Sequence, residues 1–192
     1  MLWDNEVTVS KKAKLIEVII TYLEMTRRPH LSEPLSRIEE LAILRARKPT
    51  ISFYRYLYHT VGEPWLWYER RTMSDDTLSG IIHDNKVSIF VLYVAGVPAG
   101  FAELDARIEA EIELAYFGLV PEFIGRGLGS YFLRWAVDKA WSAEPRRVWV
   151  NTCSLDHPQA LTMYQKAGFT PYRRDTKSIE DPRGASGQGE SV

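Results

Sequence analysis

Three glycines, at positions 125, 127 and 129, follow an apolar segment that ends at Val120 and lead directly into an apolar pattern with helical spacing. Glycine lets the backbone approach a ligand closely, and the free N–H groups of a first helical turn attract phosphate. The spacing therefore predicts a backbone cradle for a phosphate or pyrophosphate. Ser130 stands where a Rossmann fingerprint has its third glycine, and no Gly-Lys pair exists for a P-loop. A turn that serves only tight strand-to-helix packing remains the alternative.

Three glutamates on two neighbouring strand-like segments are candidates for a general base. Glu111 and Glu113 share one face of a predicted strand, because strand side chains alternate. Glu113 lies deeper among apolar residues, where partial burial would raise its pKa toward a value useful for accepting a proton. Glu103, on the preceding predicted strand, is a second candidate. For each of them a solvated strand carboxylate without a catalytic role stays open.

The lone cysteine and the histidines offer little chemistry of their own. Cys153 is followed by His157, but no orienting carboxylate beyond Asp156 is evident for a thiol nucleophile. A single cysteine at the end of an apolar strand is more typical of a small buried hydrophobe. No metal site is predicted, because the remaining histidines have no second ligand at helical or loop spacing; they are His30, His59 and His83.

Composition limits the class of protein to a globular domain. The 192 residues are 45% hydrophobic and 26% charged, and the formal net charge of -1 gives no field that would attract nucleic acid or an anionic membrane. No apolar run is long enough for a bilayer, no secretory signal is evident, and one cysteine fits a reducing compartment, so a cytoplasmic protein is expected. One domain over residues 1–180 is predicted, followed by a disordered tail over 181–192 rich in Gly, Ser and Glu.

The elements that would position these residues can be read from hydrophobic periodicity and turn signals. An aromatic segment, Ile51–Arg71, has helical spacing typical of core packing, although a substrate-lining role stays open. Ser74 is a predicted N-cap for a helix that starts at Asp75. The remaining predictions are strands at 15–25, 87–94, 97–105, 111–120, 147–153 and 169–174, and helices at 36–47, 127–141 and 158–167.

Two segments together resemble the GNAT superfamily of acyl-coenzyme A dependent N-acyltransferases. They are Pro121–Gly129 and Asp156–Phe169, and the resemblance covers about Val87 to Arg174. It implies an α/β fold with a mixed, mostly antiparallel sheet of six or seven strands flanked by helices. The sequence departs from the family pattern in two places, since Ile124 stands where the family usually has Arg or Gln, and His157 where it often has Asn.

The resemblance also implies a set of site residues. In the family the turn binds the pyrophosphate of coenzyme A through backbone N–H groups, and the pantetheine arm enters between splayed strands. A tyrosine at the place of Tyr164 is the general acid, and in some members a glutamate at the place of Glu113 is the base or positions a water that is. A packing role for Tyr164, and a helix-capping role for Asp156 or His157, stay open. The implied coenzyme A contacts are Leu119, Val120, Gly125, Arg126, Gly127, Leu128, Gly129 and Ser130.

The resulting expectation is the transfer of an acetyl group from acetyl-coenzyme A to a primary amine in a ternary complex, without a metal. A small-molecule acceptor is favoured, because a protein N-terminus or lysine would call for an open acidic groove that the sequence does not indicate. The alternative from another class is a non-catalytic acyl-coenzyme A sensor or interaction module. Whether the chain forms a homodimer stays open.

Overall fold

The computed structural model describes residues 14–30 and 40–183, and within them seven strands form one sheet. The strand order is β2-β3-β4-β5-β6-β1-β7, and every neighbouring pair is antiparallel except β5 and β6. The predicted mixed, mostly antiparallel sheet is confirmed. The strands are β1 Leu15–Met25, β2 Leu41–Ala46, β3 Val87–Val94, β4 Val97–Asp105, β5 Glu111–Leu119, β6 Arg147–Cys153 and β7 Thr170–Glu180.

Helices cover both faces of this sheet. In β3, Ile89 and Val91 pack with the helices that precede the meander, while Phe90 and Leu92 pack with those that follow it. Successive strand side chains point to opposite faces, so the middle strands are apolar on both sides. The helices are α1 Ile51–Gly62, α2 Glu69–Thr72, α3 Asp75–Ile82, α4 Leu128–Trp141 and α5 Ala160–Lys166.

The helix starts follow local capping chemistry. Thr50 caps α1, where its hydroxyl accepts the backbone N–H of Phe53 at 3.2 Å. Ser74 caps α3 as predicted and accepts the N–H of Thr77 at 3.3 Å. Gly127, in contrast, is the N-cap residue of α4; it adopts the left-handed conformation and has no capping side chain. The amides at the start of α4 therefore keep their capacity to bind an external acceptor.

The helix predicted over Ser36–Arg47 is wrong for its described part. Leu41–Ala46 is the edge strand β2, paired with β3 from Leu41–Val94 to Ala46–Ile89, while residues 36–39 lie outside the described residues. The helical spacing of Ile38, Leu41 and Ala42 carries the helix prediction, but the described segment bonds through its backbone to β3. Long-range pairing therefore overrides the local pattern.

The last strand is longer than predicted. It was expected to end at Arg174, yet β7 runs to Glu180 because it follows β1 along the whole length of that strand, from Glu24–Thr170 to Leu15–Glu180. The segment expected to be a disordered tail is described as far as Arg183, and the Asp181 N–H donates to the Lys14 carbonyl at 2.8 Å. Residues 184–192 lie outside the described residues.

The parallel pair β5–β6 is the feature that opens the sheet. It contains three residue pairs, Glu111–Arg147, Ile112–Val148 and Glu113–Trp149. Beyond Glu113 the two strands diverge, although each continues to pair with its other neighbour. A fork is left between them.

Candidate active site

A cleft of about 430 Å³ lies in the fork between β5 and β6. Its wall runs from the glycine turn before α4, along Leu114–Leu119 of β5, to α5 and the segment Trp65–Glu69. The anion cradle and the tyrosine predicted as an acid thus open into one cavity.

The glycine turn has the conformation that only glycine adopts without strain. Gly125 and Gly127 have φ angles of 82° and 79°, and an added Cβ at either would meet no atom within 4 Å, so backbone conformation rather than space requires glycine there. Both line the cleft, as do Gly129 and Ser130. Since no side chain caps α4, the backbone amides at its start are available to an anion.

The other residues implied for this turn divide between cleft and core. Leu119 lines the cleft, whereas Val120 and Leu128 are 6% and 1% exposed and belong to the cores. Arg126 does not line the cleft, and its guanidinium lies 5.2 Å from the ring centre of Phe123. The contribution of Val120, Arg126 and Leu128 to an anion site would therefore come from the backbone.

The exposed edge of β5 is shaped by a β-bulge. Asp105 and Leu104 of β4 pair with Glu113 and Leu114, but Glu103 pairs with Tyr116, so Ala115 is the extra residue. The bulge brings Tyr116 onto the face that Glu113 occupies. In the described part of the chain, this edge of β5 has no strand partner beyond Glu113, and its backbone polar groups face the fork.

Tyr164 lies on α5 and lines the cleft with only 6% of its surface exposed. Its ring packs edge-on against Phe169, with the ring centres 5.9 Å apart. Burial, and to a lesser extent the negative charge of Asp156, raise the pKa of the Tyr164 phenol above its usual value. The phenol therefore remains protonated at neutral pH, as a proton donor must.

Glu113 lies beside the cleft and not in its lining. Asn151, which does line it, donates from Nδ2 to Glu113 Oε1 at 3.4 Å. Burial, together with the charges of Asp105 and Glu103, raises the pKa of Glu113 to about 7. The carboxyl group can therefore exchange a proton near neutral pH. It is Asn151, however, and not Glu113 itself, that lines the cavity.

The two other predicted carboxylates form ion pairs away from the cleft. Glu103 is completely buried, where Oε1 accepts from Arg70 Nη2 at 2.8 Å and Oε2 from the Tyr54 hydroxyl at 2.5 Å. Glu111 lies 3.5 Å from the Arg147 guanidinium. Neither lines the cavity.

Glu69 is a cleft-lining carboxylate that sequence reasoning missed. It lies on α2 and its Oε2 accepts a hydrogen bond from the Tyr116 hydroxyl at 2.8 Å. The next residue, Arg70, is buried and anchors α2 to Glu103, and its guanidinium lies 5.2 Å from the Tyr116 ring centre. The only signal in the sequence was a carboxylate near the end of the aromatic segment, directly after Tyr68.

The aromatic segment serves both roles that its sequence left open. Tyr54 is buried under the sheet, and Tyr58 is buried but borders the cleft. Trp65, Trp67 and Tyr68 line the cleft. Leu66, between them, adopts a left-handed φ of 58° that turns the chain along the cleft.

The indole of Trp67 is held by close packing and by one hydrogen bond. A Cβ on Gly62 would lie 2.4 Å from the indole, so a glycine is required there. Trp67 Nε1 also donates to Asp156 Oδ1 at 3.2 Å, which joins the aromatic segment to the turn after β6.

Asp156, His157 and Cys153 do not form a nucleophilic group. Asp156 accepts from the Thr152 hydroxyl at 2.7 Å and the Cys153 N–H at 2.8 Å, besides Trp67. His157 Nδ1 accepts the Gln159 N–H at 3.1 Å in the turn before α5, and α5 has no side-chain capping bond. Burial, and then Asp156, raise the pKa of the Cys153 thiol, which disfavours a thiolate.

Residues 14–30 and 40–183 contain no group of three or more His, Cys, Asp or Glu side chains that could hold a metal ion. In the same part of the chain, no helix combines the length and the apolar character needed to cross a membrane.

The forked sheet, the uncapped start of α4 and the tyrosine on α5 define the acyl-coenzyme A N-acyltransferase class of fold. Residues 50–169 match the acetyltransferase (GNAT) family, and the chain belongs to this family. No curated protein matches the sequence.

Solved structures at low identity share this fold. A GCN5-related N-acetyltransferase from Sphaerobacter thermophilus is 17% identical with a TM-score of 0.59, and 85% of this chain covers 52% of it. Mutant forms of the spermidine/spermine N-acetyltransferase from Vibrio cholerae are 21% identical (TM-score 0.52; 68% and 80% covered). A Bacillus subtilis acetyltransferase in complex with CoA is 17% identical (TM-score 0.52; 68% and 77%). The chain spans 61% and 63% of two other similar chains.

Proposed function

We propose that this protein is an N-acetyltransferase that moves an acetyl group from acetyl-coenzyme A to the primary amine of a small molecule. The observation that carries the proposal is the single cleft that connects the uncapped amides of α4 with the Tyr164 side chain. Direct attack by the amine requires both substrates to be bound together, and a cavity lined by both the glycine turn and the aromatic segment fits a ternary complex. The single free Cys153 suits a cytoplasmic location.

The residues around the fork fit an acyl-coenzyme A. Backbone N–H groups at the start of α4 suit a pyrophosphate, which the positive end of the helix dipole attracts. The exposed edge of β5 between Leu114 and Leu119 offers backbone donors and acceptors to an extended ligand with amide groups, such as a pantetheine arm. Bound there, acetyl-coenzyme A supplies an activated acyl thioester to the cavity.

Two residues of this chain would manage the protons. Tyr164 donates its phenolic proton to the sulfur as the C–S bond breaks, and its raised pKa keeps that proton in place beforehand. Glu113 accepts the proton that the amine loses as its C–N bond forms, since a carboxyl pKa of about 7 suits a base at neutral pH. Because Glu113 does not itself line the cleft, a water molecule beside Asn151 would carry the proton from the amine to Glu113.

Replacing Tyr164 by phenylalanine tests the proposal and separates an enzyme from a binding module. Y164F removes the phenolic proton and preserves the ring that packs on Phe169. We expect kcat, followed as thiol release from acetyl-coenzyme A with an amine panel, to fall by about 100-fold. The affinity for coenzyme A, measured by calorimetry, should stay within about twofold, because the backbone cradle is untouched.

The matched control is Y56F, which makes the same chemical change on the exposed side of α1. Its kcat should equal that of the wild-type protein. A Y164F protein with full turnover would refute the assigned role. If the wild-type protein binds coenzyme A but releases no thiol with any amine, the chain is a binding module and not an enzyme.

A further inference from the structure

Part of the cleft wall is aromatic. Trp65, Trp67 and Tyr68 come from the segment between α1 and α2, and Tyr116 comes from β5. Trp65 lies edge-on to the His157 ring at 4.9 Å between ring centres. Flat apolar surfaces of this kind favour a ligand that has its own flat apolar group.

Among the described residues, two carboxylates line the cleft, and one of them already accepts several hydrogen bonds from the protein. Among the described residues, the charged side chains that line the cavity are Glu69, Asp156 and Lys177. Asp156 accepts three hydrogen bonds from the protein, from Thr152, Cys153 and Trp67. Glu69 accepts one, from the Tyr116 hydroxyl, and its side chain is exposed. Glu69 therefore has capacity for an additional cationic donor.

The position of Glu69 is built into the fold. Arg70 is buried and bonded to Glu103 at 2.8 Å, so α2 cannot rotate without breaking this ion pair. The Tyr116 hydroxyl, on the strand where the cleft begins, holds the Glu69 carboxylate from the other side. A carboxylate at a defined point of an aromatic wall can bind one ammonium group and orient the apolar body behind it.

We infer that the acceptor is a monocationic amine attached to an aromatic or other flat apolar group, with Glu69 binding its ammonium. This ammonium releases one proton to solvent and then attacks the thioester as the neutral amine. A polyamine or an aminocyclitol would bring several charges or hydroxyls into a cavity that has one carboxylate to spare and aromatic walls, which would leave polar groups unpaired. The inference rests on the proposed function, because it assigns the second substrate of that reaction.

Equilibrium binding separates this inference from the proposed chemistry. Calorimetry in the presence of saturating coenzyme A would compare tryptamine and 2-phenylethylamine with spermidine. We expect the two arylalkylamines to bind at least about tenfold more tightly than spermidine, a difference that one aromatic contact can supply. Equal or tighter binding of spermidine, or no binding of either arylalkylamine, overturns the inference.

Thiol release with the same amines then tests the reaction by itself. Arylalkylamines that bind while no amine of the panel releases thiol would refute the proposed function and leave the assignment of the ligand class standing. If spermidine is acetylated more efficiently than tryptamine, the assignment of the ligand class fails and the proposed function stands.

Two variants test the named contacts. W65A should weaken tryptamine binding by about tenfold and leave coenzyme A affinity unchanged, while Y56A, which removes an exposed aromatic ring outside the cleft, should change neither. E69Q should weaken tryptamine binding but not the binding of tryptophol, its neutral alcohol analogue. If E69Q weakens both equally, Glu69 does not bind the ammonium, and the inference fails at that residue.

Discussion

Glu113 is the group whose titration should leave the clearest mark on stability. Its pKa is raised from the ordinary 4.5 to about 7, first by burial and then by Asp105 and Glu103. Asp105 pairs with Glu113 directly across β4 and β5. Holding the pKa at about 7 corresponds to about 3 kcal/mol, since a tenfold change in proton affinity is worth about 1.4 kcal/mol.

The sign of the effect follows from which state holds the proton. Between pH 4.5 and about 7 the carboxyl group is ionised in the unfolded chain but protonated in the folded one, so each step up in pH favours unfolding. This contribution to stability is complete below pH 4.5 and lost above about 7. The wild-type protein should therefore lose about 3 kcal/mol through this group as the pH rises from acid to alkaline values.

The variant E113Q removes the titration while it keeps the shape and an oxygen that can accept from Asn151. We expect E113Q to be more stable than the wild-type protein by about 1 kcal/mol at pH 5 and by about 3 kcal/mol at pH 8. Urea unfolding at the two pH values would measure both differences. If Glu113 is also the proton acceptor, the stabilised variant should have a lower kcat.

The matched control is E111Q, on the same strand face two residues away. Glu111 pairs with Arg147 at 3.5 Å, and breaking that partly exposed contact should cost less than about 1 kcal/mol. The E111Q protein should keep the wild-type loss of stability with rising pH, because Glu113 is still present. The reasoning is refuted if the gap between E113Q and the wild-type protein fails to widen from pH 5 to pH 8.

Two further substitutions test the turn and the buried ion pair. G127A places a side chain at a φ of 79° and should lower the free energy of unfolding by about 1–2 kcal/mol, whereas G80A, inside α3 with nothing within 4 Å of its Cβ, should raise it by about 0.5–1 kcal/mol. Equal effects of the two in chemical denaturation would contradict the conformational argument. E103Q leaves the Arg70 guanidinium buried without its counter-charge and should cost about 3–5 kcal/mol in the same assay; a loss below about 1 kcal/mol would show that the pair is dispensable.

The parts of the fold predicted correctly are those encoded locally. The meander has alternating or continuous apolar strands and a turn at Ala95-Gly96, and α4 has a broad apolar stripe, so each can be recognised from its own residues. Edge strands behave differently. β2 and the second half of β7 are amphipathic at best, and their conformation is decided by β3 and β1, which lie far away in sequence.

For the site, the residues carried by motifs could be predicted and those placed by tertiary packing could not. The glycine turn and Tyr164 lie in recognisable segments and do line one cleft. Glu69 depends on a left-handed turn at Leu66 and on the anchoring of α2 by Arg70, neither of which is visible in the sequence. The bulge at Ala115 places Tyr116 on the same strand face as Glu113, and the sequence likewise gives no sign of it.

The three residue pairs between β5 and β6 are the strand pairing that joins two groups of strands in the sheet. One group consists of β2, β3, β4 and β5, and the other of β6, β1 and β7. A ligand bound in the fork contacts the strands on both sides of this pairing and holds them together. Amide hydrogen exchange at Glu111–Glu113 and Arg147–Trp149 should therefore slow when coenzyme A is bound, far more than exchange at the β3–β4 pairing, which the ligand does not bridge.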